Sequence, residues 1–192
     1  MDLVPLVFTF AVVALAELGD KTQIVAISLS AKGSPLSVFL GAMLGFLVVD
    51  GLSVLVGDAL ASVLPIRWIT LSSGLVFIVF GVYTLFFEGE REIKFKERGF
   101  SLATSFSLVT LMELGDKTQF AVIALAAEFS SLLLVFIGMM LAFLVTTGIG
   151  IFFGAKFLKL LPMKYVKKAT SALFIFFGII FIVSGLTGIN IL

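Results

Sequence analysis

Seven residues, Glu17-Leu18-Gly19-Asp20-Lys21-Thr22-Gln23, recur unchanged as Glu113-Leu114-Gly115-Asp116-Lys117-Thr118-Gln119. Two acids, a base, a hydroxyl and an amide at fixed spacing can hold a cation or pass protons. On a helix, residues three and four apart share a face. Glu17, Asp20 and Lys21 are therefore expected to project together, with Gln23 continuing the row one turn on. Two such faces converging would offer four carboxylates (Glu17, Asp20, Glu113 and Asp116), with Thr22, Thr118, Gln23 and Gln119 as further neutral oxygens. The chain has no cysteine and no histidine, which removes disulfides, thiol chemistry and imidazole ligation together. A metal bound here must be held by oxygen, the donor set that suits hard divalent cations such as calcium, magnesium and manganese.

Each copy of the motif lies inside a long apolar run, where an ionisable side chain is costly and marks a functional site. Four carboxylates gathered in low dielectric cannot all stay ionised, because burial and mutual repulsion both oppose the charge. They must hold protons, a cation or the two lysines. A site that takes a cation in exchange for protons is an antiporter site. Lys21 and Lys117 would be internal counter-ions, or would snorkel away from it. Gly19 and Gly115 would let the helix unwind, as a hinge that frees carbonyls, or let a neighbour pack closely. A single Glu–Lys pair could merely neutralise itself; two identical copies argue against that bland reading. Asp50 stands apart. Its counterpart is Thr147, nothing pairs it by spacing, and it is expected to border the cation path. Asp58, Glu88 and Glu128 lie at the ends of apolar runs and read as interfacial.

The elements that must position these groups are membrane helices. Hydrophobic residues make up 60% of the 192 positions and charged ones 13%, against about half and a quarter in soluble domains. Six apolar runs are long enough to span a bilayer, at about 3–31, 36–57, 66–87, 100–127, 132–155 and 169–190. The motifs stand 96 residues apart; beyond them the offset is 97, matching Gly41 to Gly138, Gly57 to Gly154, Pro65 to Pro162 and Gly81 to Gly178. The expected fold is thus an all-α membrane protein, a single membrane domain of six helices built as two inverted three-helix repeats. The repeats cover 1–88 and 100–192 and are joined by a charged connector at 89–99. Gly41-x-x-x-Gly45 is a small-residue motif expected to seat a helix within the fold.

Three spans per half would send the halves into the membrane from opposite sides. With both termini on one side, the other side carries Lys32, Arg91, Lys94, Lys96, Arg98, Lys156, Lys159, Lys164, Lys167 and Lys168, against Arg67 alone. The positive-inside rule then places the connector in the cytoplasm and both termini outside. The basic stretch Lys156 to Lys168 is accounted for by this topology, and the net charge of +1 gives no reason to expect a nucleic-acid partner. Asp2 at the amino end and the charges of the first run do not read as a cleavable signal peptide.

Two copies of Glu-x-Gly-Asp-(Lys/Arg)-(Ser/Thr), in a chain of two three-span halves, resemble a known family. These are the calcium/manganese–proton antiporters of Golgi, chloroplast and prokaryotic membranes, within the lysine-exporter superfamily. Both copies fit the pattern, and the resemblance covers essentially the whole chain. It implies exchange of manganese or calcium for protons at the bilayer midplane, with Glu17, Asp20, Glu113 and Asp116 as the cation site. No cofactor is implied beyond the transported cation, and the partners are that cation, protons and the lipid bilayer. A homo-oligomer is left open. The absence of a leading targeting segment makes a prokaryotic plasma membrane the expected location. Two alternatives come from other classes. One is export of amino acids or other solutes on the same scaffold, which needs a larger polar cavity. The other is an intramembrane aspartyl protease, which also uses paired membrane acids.

Overall fold

The computed structural model describes residues 3–86, 102–154 and 163–188. The connector 89–99 and the basic residues Lys156 and Lys159 lie outside the described residues. Regular structure among the described residues is entirely helical, in the order α1 Val4–Glu17, α2 Lys21–Ser30, α3 Pro35–Val63, α4 Ile66–Phe86, α5 Leu102–Glu113, α6 Lys117–Phe129, α7 Leu132–Phe153 and α8 Met163–Thr187. Four of these, α3, α4, α7 and α8, are long and apolar enough to cross a membrane. Their outward faces carry exposed Leu52, Val56, Leu75, Leu133 and Phe176, as lipid-facing surfaces do. This is a helical membrane protein.

The two apolar runs that carry the motifs are not continuous helices. The first and fourth apolar runs are each broken at the motif into two short helices, α1–α2 and α5–α6. Local chemistry accounts for the break. Gly19 and Gly115 sit at φ 75° and 77°, in the left-handed region that only glycine adopts without strain. A glycine there ends one helix, and the following aspartate caps the next. The second span is longer than the sequence suggests, ending at Val63 just before the Leu64–Pro65 step, where proline disfavours helix in the preceding residue. The last helix begins at Met163 rather than near 169, so Lys164, Lys167 and Lys168 ride on its first turns.

The halves interlock instead of standing side by side. Helix α3 packs along α5 and α6, α7 packs along α1 and α2, and α4 pairs with α8. Small residues set these approaches. A side chain at Gly41 would collide with the Leu102 carbonyl, and one at Gly138 with the Leu6 carbonyl. Gly45 faces Val109 on the same α5 surface, so the Gly41-x-x-x-Gly45 stripe seats a helix inside the fold. Gly178 meets the Gly74 carbonyl and Ile78 where α8 crosses α4, while Gly81 meets Ile175.

Several residues touch their own counterparts. Phe46 stacks on Phe143 with ring centroids 3.9 Å apart and planes 14° apart. Phe77 stacks on Phe174 at 5.1 Å. Each pair differs by 97 positions, the offset between the halves. Contacts between equivalent residues are what a two-fold relation produces. Around these rings, Val12, Val109, Val122, Leu125 and Met139 complete the buried core, directly beside the two helix breaks.

Candidate functional site

Each break places a helix C-terminus and a helix N-terminus together. Glu17 is the last residue of α1 and Glu113 the last of α5; Asp20 and Asp116 are the N-caps of α2 and α6. Asp20 accepts from the Thr22 backbone N–H at 3.4 Å, and Asp116 from that of Thr118 at 3.5 Å. Gln23 folds back so that its Oε1 accepts from the Gly19 N–H at 2.7 Å, and Gln119 does the same for Gly115 at 2.7 Å. Gly-Asp-Lys-Thr-Gln is therefore a helix-start device related to the capping box. Each glutamine oxygen thus holds the backbone of its own helix break. The Gln23 amide also donates to the Thr146 carbonyl on α7 at 2.6 Å, a tie across the halves that sequence offered no signal for. A side chain added at Gly115 would meet nothing within 4 Å, so backbone conformation, not packing, requires glycine there.

The two motifs meet. One carboxylate oxygen each from Glu17, Glu113 and Asp116 lies within 4.8 Å of the others. Oxygens bound to a single calcium at roughly 2.3–2.6 Å stand at most about 5 Å apart, so the trio matches the grip of one ion. Glu17 and Glu113 are buried, and Asp20 and Asp116 nearly so. The Thr118 hydroxyl donates to Glu17 at 2.7 Å. Its counterpart Thr22 sits beside Glu113 without closing a hydrogen bond, and both Glu113 oxygens are buried without a hydrogen-bond partner. A carboxylate so placed is stable only when it carries a proton or a cation, because an ionised group without a partner is prohibitively costly to bury.

Asp20 stands outside the trio, paired with Lys117 of the other half at 2.6 Å. The reciprocal pair joins Lys21 to Asp116 at 2.5 Å. The lysines thus neutralise the aspartates across the halves and do not snorkel away from them. The two pairs are equivalent in sequence but differ in setting. Side-chain exposure is 6% and 5% for Lys117 and Asp20, against 45% and 9% for Lys21 and Asp116. Breaking a buried pair by removing one partner is strongly destabilising, whereas a half-exposed pair is held weakly. Asp116, the aspartate of the more exposed pair, is also the one whose carboxylate belongs to the trio.

Asp50 on α3 is fully buried and faces the same acids. Glu128, read from sequence as interfacial, is half-buried near the end of α6; it accepts from the Thr70 hydroxyl at 3.0 Å, and its other oxygen is buried without a partner.

Sequence comparison relates the chain to known proteins. A GDT1-like protein of Synechocystis is 31% identical over 138 residues, covering 60% of this chain and 66% of its own. A candidate manganese exporter of Vibrio cholerae is 29% identical over 176 residues, covering 88% of this chain and 86% of its own. The divalent cation/proton antiporter GDT1 of Saccharomyces cerevisiae is 38% identical over 77 residues, covering 40% of this chain. The chain spans only 28% of the length of that yeast protein. No solved structure matches. The sequence profile of the family described as divalent cation/proton antiporter GDT1 matches residues 5–92 and 101–189. With nearly the whole chain matched and both motifs meeting at one buried acidic site, the protein belongs to the GDT1 family of divalent cation/proton antiporters.

Proposed function

We propose that this protein exchanges manganese or calcium for protons, binding the cation between the two motifs. The observation that carries the reading is the trio of Glu17, Glu113 and Asp116. It is contributed by both halves, closes to 4.8 Å and leaves Glu113 without a hydrogen-bond partner. Asp20 joins the site when Lys117 releases it, completing the four motif acids. Lys21 and Lys117 hold the aspartates in the meantime as internal counter-ions. The broken helices add the negative ends of α1 and α5 to the site, an arrangement that suits a cation in discontinuous transporter helices. The Vibrio and yeast relatives, named for manganese export and cation/proton antiport, support the same assignment. The family is one of transporters, not enzymes, which sets the protease alternative aside.

Purified protein is expected to melt at a higher temperature when manganese or calcium is added, since a ligand that binds only the native state stabilises it by mass action. Magnesium and lysine should give no shift. Magnesium demands a tight octahedral shell and dehydrates reluctantly, and a lysine zwitterion would need a larger cavity. A shift with lysine and none with manganese or calcium would favour the solute-exporter alternative.

The same reading takes the halves 1–88 and 100–192 as inverted three-span repeats, with each broken helix pair acting as one span. It places the protein in a prokaryotic plasma membrane with both termini outside and the connector cytoplasmic. The chain has no native cysteine, so Glu92→Cys reports topology without background. It should react with an impermeant thiol reagent only after the membrane is opened. Labelling in intact cells would reverse the orientation.

A further inference from the structure

The two-fold relation between the halves predicts that every acid of the site has a twin. Asp50 has none: the matching position on α7 is Thr147. Asp50 is nonetheless fully buried, and both its carboxylate oxygens lack a hydrogen-bond partner. Asp50 lies outside the set whose oxygens close to 4.8 Å, yet near enough to Glu17, Asp116 and Glu113 to interact with them electrostatically. No lysine among the described residues is paired with it, in contrast to Asp20 and Asp116. An acid so placed brings no stability of its own, because a buried charge without a partner is a cost. It is accounted for if its partner is the cargo. Calcium takes roughly six to eight oxygens, and a further carboxylate beside the trio would help to fill that shell.

We infer that Asp50 is a fifth acid of the cation site, holding the divalent ion from α3, directly or through one water, beside Glu17, Glu113 and Asp116. This rests on the transport reading above and adds to it an asymmetry: one wall of the site, on α3, carries charge, and the equivalent wall on α7 carries only a hydroxyl.

The test is manganese binding to the purified full-length protein, followed by loss of the free-ion electron paramagnetic resonance signal. Melting temperature is measured in parallel without metal. Asp50→Asn should weaken manganese binding at least about tenfold, the scale on which polar groups around a metal act. Its melting temperature without metal should be unchanged or higher, since a neutral amide replaces a buried acid of the same shape. Asp50→Glu should restore binding at least in part. Wild-type affinity in Asp50→Asn would overturn the inference, as would a marked loss of metal-free stability, which would assign Asp50 a structural role. The transport reading fails separately, if the parent protein binds no manganese or if Glu113→Gln binds it as well as the parent does.

Discussion

Glu17→Gln and Glu113→Gln should each lower cation transport by about 100-fold or more, the upper end of what groups around a metal contribute, in protein that still folds and inserts. The amide keeps the shape of the carboxyl but cannot offer an anionic oxygen. Neither glutamate is held by a lysine: Glu17 receives only the Thr118 hydroxyl, and Glu113 has no hydrogen-bond partner. Stability should therefore hardly move when the charge is removed. Asp20→Asn and Asp116→Asn should also abolish transport, but with different costs to the fold. Asp20→Asn leaves Lys117 buried beside a neutral amide, and losing one member of a buried pair costs roughly 3–5 kcal/mol. Asp116→Asn leaves Lys21, which is half-exposed and can be hydrated, so its cost should be far smaller. Proteoliposome flux and melting temperature, measured on the same four variants, separate the two effects. Intact transport after changes confined to one motif would refute a site shared by both. Glu90→Gln, in the connector, should be silent.

Different physical rules govern how much of this site is legible in the sequence. The doubled motif and its place in apolar runs single out four acids, because ionisable groups there need a reason, and the structure brings Glu17, Glu113 and Asp116 of the four together. The break between Glu17 and Asp20 was readable too, though helical spacing obscured it. Treating the motif as one helix face put Glu17, Asp20 and Lys21 in a row. The residues also spell a stop and a start: glycine after a helix end, aspartate as cap, glutamine three residues on. Local capping chemistry won over periodicity. The identity of the lysine partners was a different matter. Lys21 pairs with Asp116 and Lys117 with Asp20, distances that depend on how two halves nearly a hundred residues apart interlock. Spacing within one motif carries no information about them. The stacking of Phe46 on Phe143 and Phe77 on Phe174 belongs to the same class. Offset arithmetic shows these residues to be equivalent, but only the packed structure shows that they meet.

The cross-pairing also bears on how transport is driven. Moving one elementary charge against 100 mV costs roughly 2.3 kcal/mol, so exporting a divalent cation from a negative interior costs about 4.6 kcal/mol before any concentration term. Exchange for two protons cancels that charge term and leaves the pH difference to do the work. The site has the parts for such an exchange. Asp20 and Asp116 are neutralised by lysines, while Glu17, Glu113 and Asp50 are not; a divalent cation is balanced when two of these three carboxyls give up protons and the third keeps its own, so that the buried site stays near neutral. Manganese or calcium flux through reconstituted protein should therefore be accelerated when the opposite compartment is made acidic, since protons then enter as the cation leaves. The compartment losing the cation should acidify, as read by a pH-sensitive dye on that side. Because two protons balance one divalent cation, imposing a membrane potential at equal pH should change the rate little. A flux that ignores the pH gradient and moves no protons would rule out antiport. A flux that follows the gradient but also rises steeply with potential would retain antiport and exclude the two-proton stoichiometry.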